Sequence, residues 1–289
     1  MMFTIFTPTY NRGNLLTRLY QSLLDQKSRD FEWLIVDDGS TDDTAAIVQA
    51  FIDEKKIDVC YYKKENGGKH TAYNYALDLA RGKWFLCVDA DDLLHKDALT
   101  KISVAVSGLS TDTGIIAYKE DMQGNRLSAA FPQDVDSCKI SELSLKYHCP
   151  GEFSLVLPRE LAAQYKFPVF PPERFVGESV IYDRIDEVCD WMLLPEVITV
   201  CEYQPDGYSS NFAKLMKQNP SGFCLYFLQR IDLQVRWMQR VIHAGKYWCF
   251  RWICKRPELA YRGQHKVLVA FSVISGLFFR IYYKLFRGI

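Results

Sequence analysis

With 289 residues, 48% hydrophobic and 14% aromatic, the chain is long enough for one large domain with an appendage or for two domains, and its composition excludes a chain without a packed core. The formal net charge of zero conceals a division: from Phe212 onward 14 Lys and Arg stand against only Asp232 and Glu258, so the two parts carry about −12 and +12. The nine cysteines form no CxxC pair and keep no regular spacing, which excludes a disulfide framework or zinc site and points to a reducing compartment.

In chain order, Phe3 to Thr7 reads as a buried strand. The N-terminus enters it directly, so no secretory leader is expected. Pro8-Thr9-Tyr10-Asn11-Arg12 is a polar loop, and Leu15, Leu16, Leu19, Leu23 and Leu24 follow at helical spacing. A second strand, Trp33 to Val36, ends in Asp37-Asp38-Gly39-Ser40. Ala45 to Phe51 then marks a helix with a Ser or Thr cap. A third strand, Val59 to Tyr62, leads through Asn66-Gly67-Gly68-Lys69-His70 into a helix carrying Ala72, Tyr75, Ala76 and Leu79. The apolar run Trp84 to Val88 ends abruptly in Asp89, Asp91 and Asp92.

Strands alternating with helices of this length predict parallel βαβ units, an α/β domain with helices on both faces of the sheet. Ligands of such sheets sit at the carboxyl ends of the strands, where all four runs end in polar or flexible residues. Crowded carboxylates disfavour one another's ionisation unless a cation sits among them, and hard divalent ions prefer oxygen ligands. In extended chain Asp89 and Asp91 share a face. Asp38, beside Gly39 and Ser40, is placed to accept hydrogen bonds from a ribose or base. Lys69, after the glycine pair at a helix N-terminus, is placed to meet a phosphate. The plainer reading makes Asp89 to Asp92 a solvated turn, with Asp92 or Asp97 capping the next helix, Asp37 to Ser40 an ordinary turn, and Lys69 a surface lysine.

TPTYNR, VDDGSTDDT, ENGGKHTAYNYAL and VDADD together resemble, in order and approximate spacing, the inverting family 2 glycosyltransferases of GT-A fold, bacterial capsule or polysaccharide type. The resemblance covers about residues 3 to 210. It implies a nucleotide-sugar donor, commonly a UDP-sugar, and Mg²⁺ or Mn²⁺ at the DxD motif. By position, Thr7, Pro8, Thr9, Tyr10 and Arg12 are expected along the nucleotide pocket, Asp38 at the uracil or ribose, Gly68 and Lys69 at the nucleotide sugar, Asp89 near the ribose and sugar, and Asp91 on the metal. The arginine usual in the helix after the glycine loop is missing, and Lys69 or His70 is the expected replacement.

Beyond Asp97 a helix, a strand from Gly114 to Tyr118, a hairpin-like stretch from Asp121 to Arg126 and a strand from Phe153 to Leu157 are expected. A proline-rich loop from Phe167 to Phe175 then leads to Glu178 at the start of a helix with Ile181, Ile185 and Val188 on its buried side. Inverting transfer needs a base for the attacking hydroxyl; in the family an acidic residue fills this role, which points to Glu178, with Asp183 as fallback. Trp191 to Val200, interrupted by Pro195, reads as an edge strand, and Cys201 to Asn211 as a mobile flap in which Asp206 and Tyr208 are weak candidates.

From residue 212 aromatic and basic residues intermingle. Val267 to Phe279 is uncharged for 13 residues, short of the roughly 20 needed to span a bilayer, and such helices bind anionic membrane surfaces; the plainer reading is a helical subdomain packing on the acidic catalytic half, which the opposite charges allow. The expected division is a GT-A catalytic domain at 1–211 and a basic, aromatic-rich helical region at 212–289. The expected protein is a glycosyltransferase at the cytoplasmic face of the cell membrane, acting on a glycan or lipid-linked acceptor and not on nucleic acid. A sugar nucleotidyltransferase and a non-catalytic glycan- or membrane-binding module are the alternatives.

Overall fold

The computed structural model describes residues 1–204, 212–234 and 236–286. The chain forms two compact units, one of residues 1–166 and 184–204, the other of residues 167–183 and 205–289.

In the first unit, β1 (Phe3–Thr9), β2 (Phe31–Asp37), β3 (Asp58–Lys63) and β4 (Trp84–Cys87) are joined through α1 (Gly13–Leu24), α2 (Thr44–Glu54) and α3 (Lys69–Leu79). They lie parallel in the order β3-β2-β1-β4, as the alternation predicts. Every residue of β2 is buried and β3 is partly exposed, the pattern of an inner strand covered on both faces beside an edge. On one face Tyr20, Trp33 and Phe51 stack with ring centroids 4.2–5.9 Å apart. At the start of α2 the expected hydroxyl cap is replaced by an acid: Asp42 accepts from the Thr44 N–H (3.1 Å) and hydroxyl (2.5 Å).

The remaining elements make the sheet mixed. They are β5 (Leu93–Leu94), α4 (Ala98–Ala105), β6 (Thr113–Asp121), α5 (Ile140–Leu145), β7 (Phe153–Pro158), α6 (Arg159–Ala162), α7 (Ser179–Asp186) and β8 (Asp190–Cys201). β7 runs antiparallel between β4 and β6, β8 lies parallel to β6, and β5 pairs antiparallel with β8. The strand holding Pro195 is next to last in the sheet, and its outer neighbour β5 meets it only past the proline, at Thr199 and Val200. Its register jumps from Ala117 opposite Leu194 to Tyr118 opposite Val197, so Pro195, which lacks a ladder donor, sits in a bulge. In α7, Ile181 and Ile185 are fully buried, but Val188 lies beyond the helix end and is 49% exposed.

The second unit contains α8 (Phe212–Gln218), α9 (Pro220–Leu233), α10 (Trp237–Cys254), a 3-10 turn (Pro257–Leu259), α11 (Lys266–Phe271) and α12 (Val273–Phe286). Its boundary departs from the sequence expectation, because residues 167–183 belong with these helices. The reason is specific bonding. Glu173 accepts from the N–H groups of Ser221 and Gly222 at 2.9 and 3.2 Å, filling the orphan donors that open α9. The Arg174 N–H donates to Asn219, Gln229 donates to the Val180 carbonyl, and Arg230 pairs with Asp183 at 2.9 Å. α12 approaches α10 closely at Gly276, where a Cβ would come within 2.5 Å of the Trp248 side chain. No helix among the described residues is long and apolar enough to cross a membrane.

Candidate active site

The four parallel strands end side by side, with Thr9 opposite Asp37 and Asp37 opposite Lys63 in register. Their loops are pinned to one another. Asn11, in the left-handed region, donates its N–H to the Ser40 hydroxyl oxygen at 2.8 Å, and its side-chain oxygen accepts from the Thr41 N–H at 2.7 Å. Asp37 accepts from the Ser40 N–H and the Tyr61 hydroxyl.

Asp38 joins the second loop to the third. Its carboxylate, in a residue only 4% exposed, accepts from the N–H groups of Gly67 (2.9 Å) and Gly68 (2.6 Å) and from Lys64 Nζ (2.6 Å). A carboxylate offers about four acceptor positions, so one remains for a ligand. Gly68 has φ +94°, a conformation that L side chains rarely adopt, and it aims the chain into α3. Replacing Asp38 by Asn turns one acceptor into a donor facing donors. The expected result is a loss of about 2 kcal/mol of stability, read by urea unfolding.

The three carboxylates after β4 have separate surroundings. Asp89 is paired with Lys69, Nζ lying 2.6 and 2.7 Å from its two oxygens. Burial opposes its ionisation, but Lys69 and Lys119 prevail and hold its carboxyl below the usual range. Asp92 is buried, accepts from the Cys201 thiol at 3.3 Å and lies 3.5 Å from Lys119 Nζ. Burial pushes its carboxyl up to about 6. Asp91 is half-buried and receives no hydrogen bond or ion pair from another side chain among the described residues. Burial and the neighbouring Asp89 charge raise its carboxyl, while the Arg12 and Lys69 charges oppose the rise. The cluster thus brings together Arg12, Lys69, Asp89 and Asp91, and leaves one carboxylate in want of positive charge.

That donor set fits a hard divalent ion. One carboxylate, with the remaining ligands supplied by phosphates and water, is the usual protein share of a Mg²⁺ site. A tighter group elsewhere, Glu32, Asp58 and Cys60, already has its cation: Arg81 Nε lies 2.6 Å from Glu32 and its NH2 atom 2.7 Å from Asp58.

Among the other expected site residues, Thr9 is 3% exposed and its hydroxyl has no hydrogen-bond partner among the described residues, a donor held ready at the strand end. Tyr10 is 46% exposed, and Pro8 is partly buried. Thr7 is instead fully buried, its hydroxyl accepting from the Trp33 indole N–H at 3.0 Å, so its side chain braces β1 against β2. His70 is also buried, and burial pushes it down to about 4; it is neutral near pH 7 and cannot stand in for the missing arginine. Lys64 and Lys119 escaped sequence reading, because nothing in their local pattern marks them. Glu178 belongs to the second unit, where it is exposed and its carbonyl accepts from the N–H groups of Ile181 and Tyr182. Asp183 there is paired with Arg230. Asp206 and Tyr208 lie outside the described residues.

The neutral His70 has a consequence for stability. Its folded value lies below the unfolded value of about 6.5, so as pH falls below about 6.5 the unfolded chain takes up a proton that the folded chain refuses until about pH 4. Stability conferred above pH 6.5 should therefore decline between those limits, and His70→Gln should flatten the decline. Urea midpoints across that range measure it.

A family model, Glycosyl transferase family 2, matches residues 4–110. A putative teichuronic acid biosynthesis glycosyltransferase of Bacillus subtilis is 40% identical over 169 residues, covering 58% of this chain and 66% of that protein. Against several other bacterial glycosyltransferases, from Rickettsia and Staphylococcus aureus, the chain spans only 21–24% of their length. The structure of S. aureus TarS residues 1–349 in complex with UDP-GlcNAc superposes with a TM-score of 0.62 at 18% identity, covering 88% of this chain and 73% of that one. A mannosyltransferase of Pyrobaculum calidifontis in complex with GDP-Man and Mn²⁺ gives a TM-score of 0.58 at 19% identity, covering 99% and 83%.

Proposed function

We propose that this chain, which belongs to the family 2 glycosyltransferases and carries the GT-A fold, is an inverting, metal-dependent enzyme that moves a hexose or N-acetylhexosamine from a UDP-sugar to a hydroxyl of a glycan or lipid-linked acceptor in cell-surface polysaccharide synthesis. The observation that carries this reading is the sorting of the acidic strand end, where Asp89 and Asp92 have side-chain partners and Asp91 has none among the described residues. The S. aureus TarS complex with UDP-GlcNAc supports the choice of a uridine donor.

In this reading the free acceptor position of Asp38 and the Thr9 hydroxyl meet the nucleoside. Arg12, Lys69 and the backbone N–H groups opening α3 receive the diphosphate, where both the side-chain charges and the helix dipole favour an anion. Asp91 would hold Mg²⁺ or Mn²⁺, which when bound supplies charge neutralisation for the departing diphosphate. The acceptor oxygen bonds to the anomeric carbon on the face opposite the nucleotide. The carbon–oxygen bond to the diphosphate breaks, its electron pair leaves with the phosphate oxygen, and the hydroxyl proton passes to Glu178. The basic C-terminal region places the enzyme on the anionic inner face of the cell membrane.

The test is a panel of UDP-sugars incubated with the full chain and Mg²⁺ or Mn²⁺. UDP release from one of them is expected, even with water as a slow acceptor. Formation of pyrophosphate from UTP and a sugar phosphate would instead identify a nucleotidyltransferase.

A further inference from the structure

Helix α12 is apolar on two sides. One side packs on α10, with Ser272 and Gly276 buried and Tyr283 8% exposed. The other carries Ile274, Leu277, Phe278, Ile281 and Leu285 at 52–79% exposure, and α11 extends the stripe with Phe271 at 76%. The spacing of three or four residues keeps these side chains on one helix face. Six large apolar side chains in one exposed row exceed what scattered surface hydrophobes explain.

Beside this stripe, α10, α11 and the segment between them line an open cavity of about 720 Å³ whose lining includes Arg251, Lys255 and Lys266 with Trp248, Trp252 and Tyr261. None of the three cations forms an ion pair among the described residues: the nearby acids are engaged, Glu258 by Arg256, and Asp232 by the Tyr261 hydroxyl and His265. The walls are held by internal bonds. The Trp248 indole donates to the Val269 carbonyl at 2.7 Å, and the Tyr247 hydroxyl donates to the Leu259 carbonyl while accepting from the Tyr261 N–H, both at 3.0 Å. Helix α11 belongs to both features, since Lys266, Val269 and Ala270 line the cavity and Phe271 stands in the stripe.

We propose that the cavity binds the phosphate headgroup of an anionic phospholipid while the α11–α12 stripe enters the acyl boundary of the same bilayer. Three unmatched cations with aromatic walls suit a phosphate at the headgroup level, and the adjoining apolar row suits the layer beneath it. This rests on the reading that the C-terminal region meets an anionic membrane, and it names the face and the headgroup contact.

The experiment is sedimentation of the full chain with phosphatidylcholine vesicles with and without phosphatidylglycerol. Binding is expected only with the anionic lipid. A variant with Arg251→Gln, Lys255→Gln and Lys266→Gln should bind about a hundred-fold more weakly, from roughly five-fold per cation. The equal charge loss Lys214→Gln, Lys217→Gln and Arg236→Gln, outside the cavity lining, should cost far less. Phe271→Ser with Ile274→Ser and Phe278→Ser should also release the protein, with UDP-sugar hydrolysis retained as a check on folding. Equal losses in the two charge variants, with wild-type binding intact, would overturn the cavity assignment alone. No binding of the wild type to anionic vesicles would overturn the membrane reading together with it. A serine variant that turns a dimer into a monomer without altering sedimentation would assign the stripe to a second copy of the chain. Saturation of the cavity by inorganic phosphate, without any dependence on vesicles, would remove the lipid.

Discussion

Asp91→Asn is expected to reduce sugar transfer at least about a hundred-fold, the loss of several kcal/mol of charge stabilisation at the leaving diphosphate. Asn keeps the size of the side chain and one oxygen, so the fold should hold; what disappears is the negative charge that burial and Asp89 already make costly to maintain. The loss should come with weaker UDP binding in the presence of Mn²⁺ and little change in its absence, both readable by titration calorimetry. Asp92→Asn provides the contrast. Its carboxylate faces Cys201 and Lys119, so stability should suffer more than metal-dependent binding. Full turnover in Asp91→Asn would remove the residue from the role proposed for it.

Glu178→Gln is expected to lower turnover by about a hundred- to ten-thousand-fold, the range associated with a general base, with UDP-sugar affinity unchanged. Glu178 is exposed, and Gln keeps its size and one oxygen, so loss of activity through unfolding is not expected. Asp183→Asn separates the fallback candidate. That side chain pairs with Arg230, and its replacement should loosen the second unit, seen as a lower unfolding midpoint, while transfer persists in the folded fraction. The reverse pattern in these two variants would move the base to Asp183.

The sheet and its polar edge were legible because each strand announces both its core and its end. Trp33 to Val36 and Trp84 to Val88 are apolar runs that stop at acids, and the parallel order follows from the helices between them. The antiparallel insertion of β7 was not legible, since Phe153 to Leu157 has the same pattern whichever neighbour it takes. Pro195 signalled an edge; the outer neighbour β5 meets the strand only past the proline, and what the signal did not show was the bulge against β6 at that point. Within the candidate site, Asp91 was singled out as a candidate by its sequence neighbours, whereas Lys64 and Lys119 pair with Asp38 and Asp92 from 26 and 27 residues away along the chain, a separation that leaves no local trace. Thr7 and His70 carried a motif's position but not its exposure; burial, which sequence does not print, assigns them to bracing the interior.

The excursion of residues 167–183 into the company of the C-terminal helices bears on how the protein can be re-engineered. Glu173 closes the start of α9 and Arg230 holds Asp183, so Glu178, proposed above as the base, travels on a cassette made of two pieces of chain interrupted by a piece of the sheet domain. A chimera that exchanges only the tail after residue 211 would inherit a recipient's 167–183 segment with mismatched caps and an orphaned arginine. Grafts that carry both pieces together are the ones expected to fold, and specificity swaps between relatives should be designed with two crossovers rather than one.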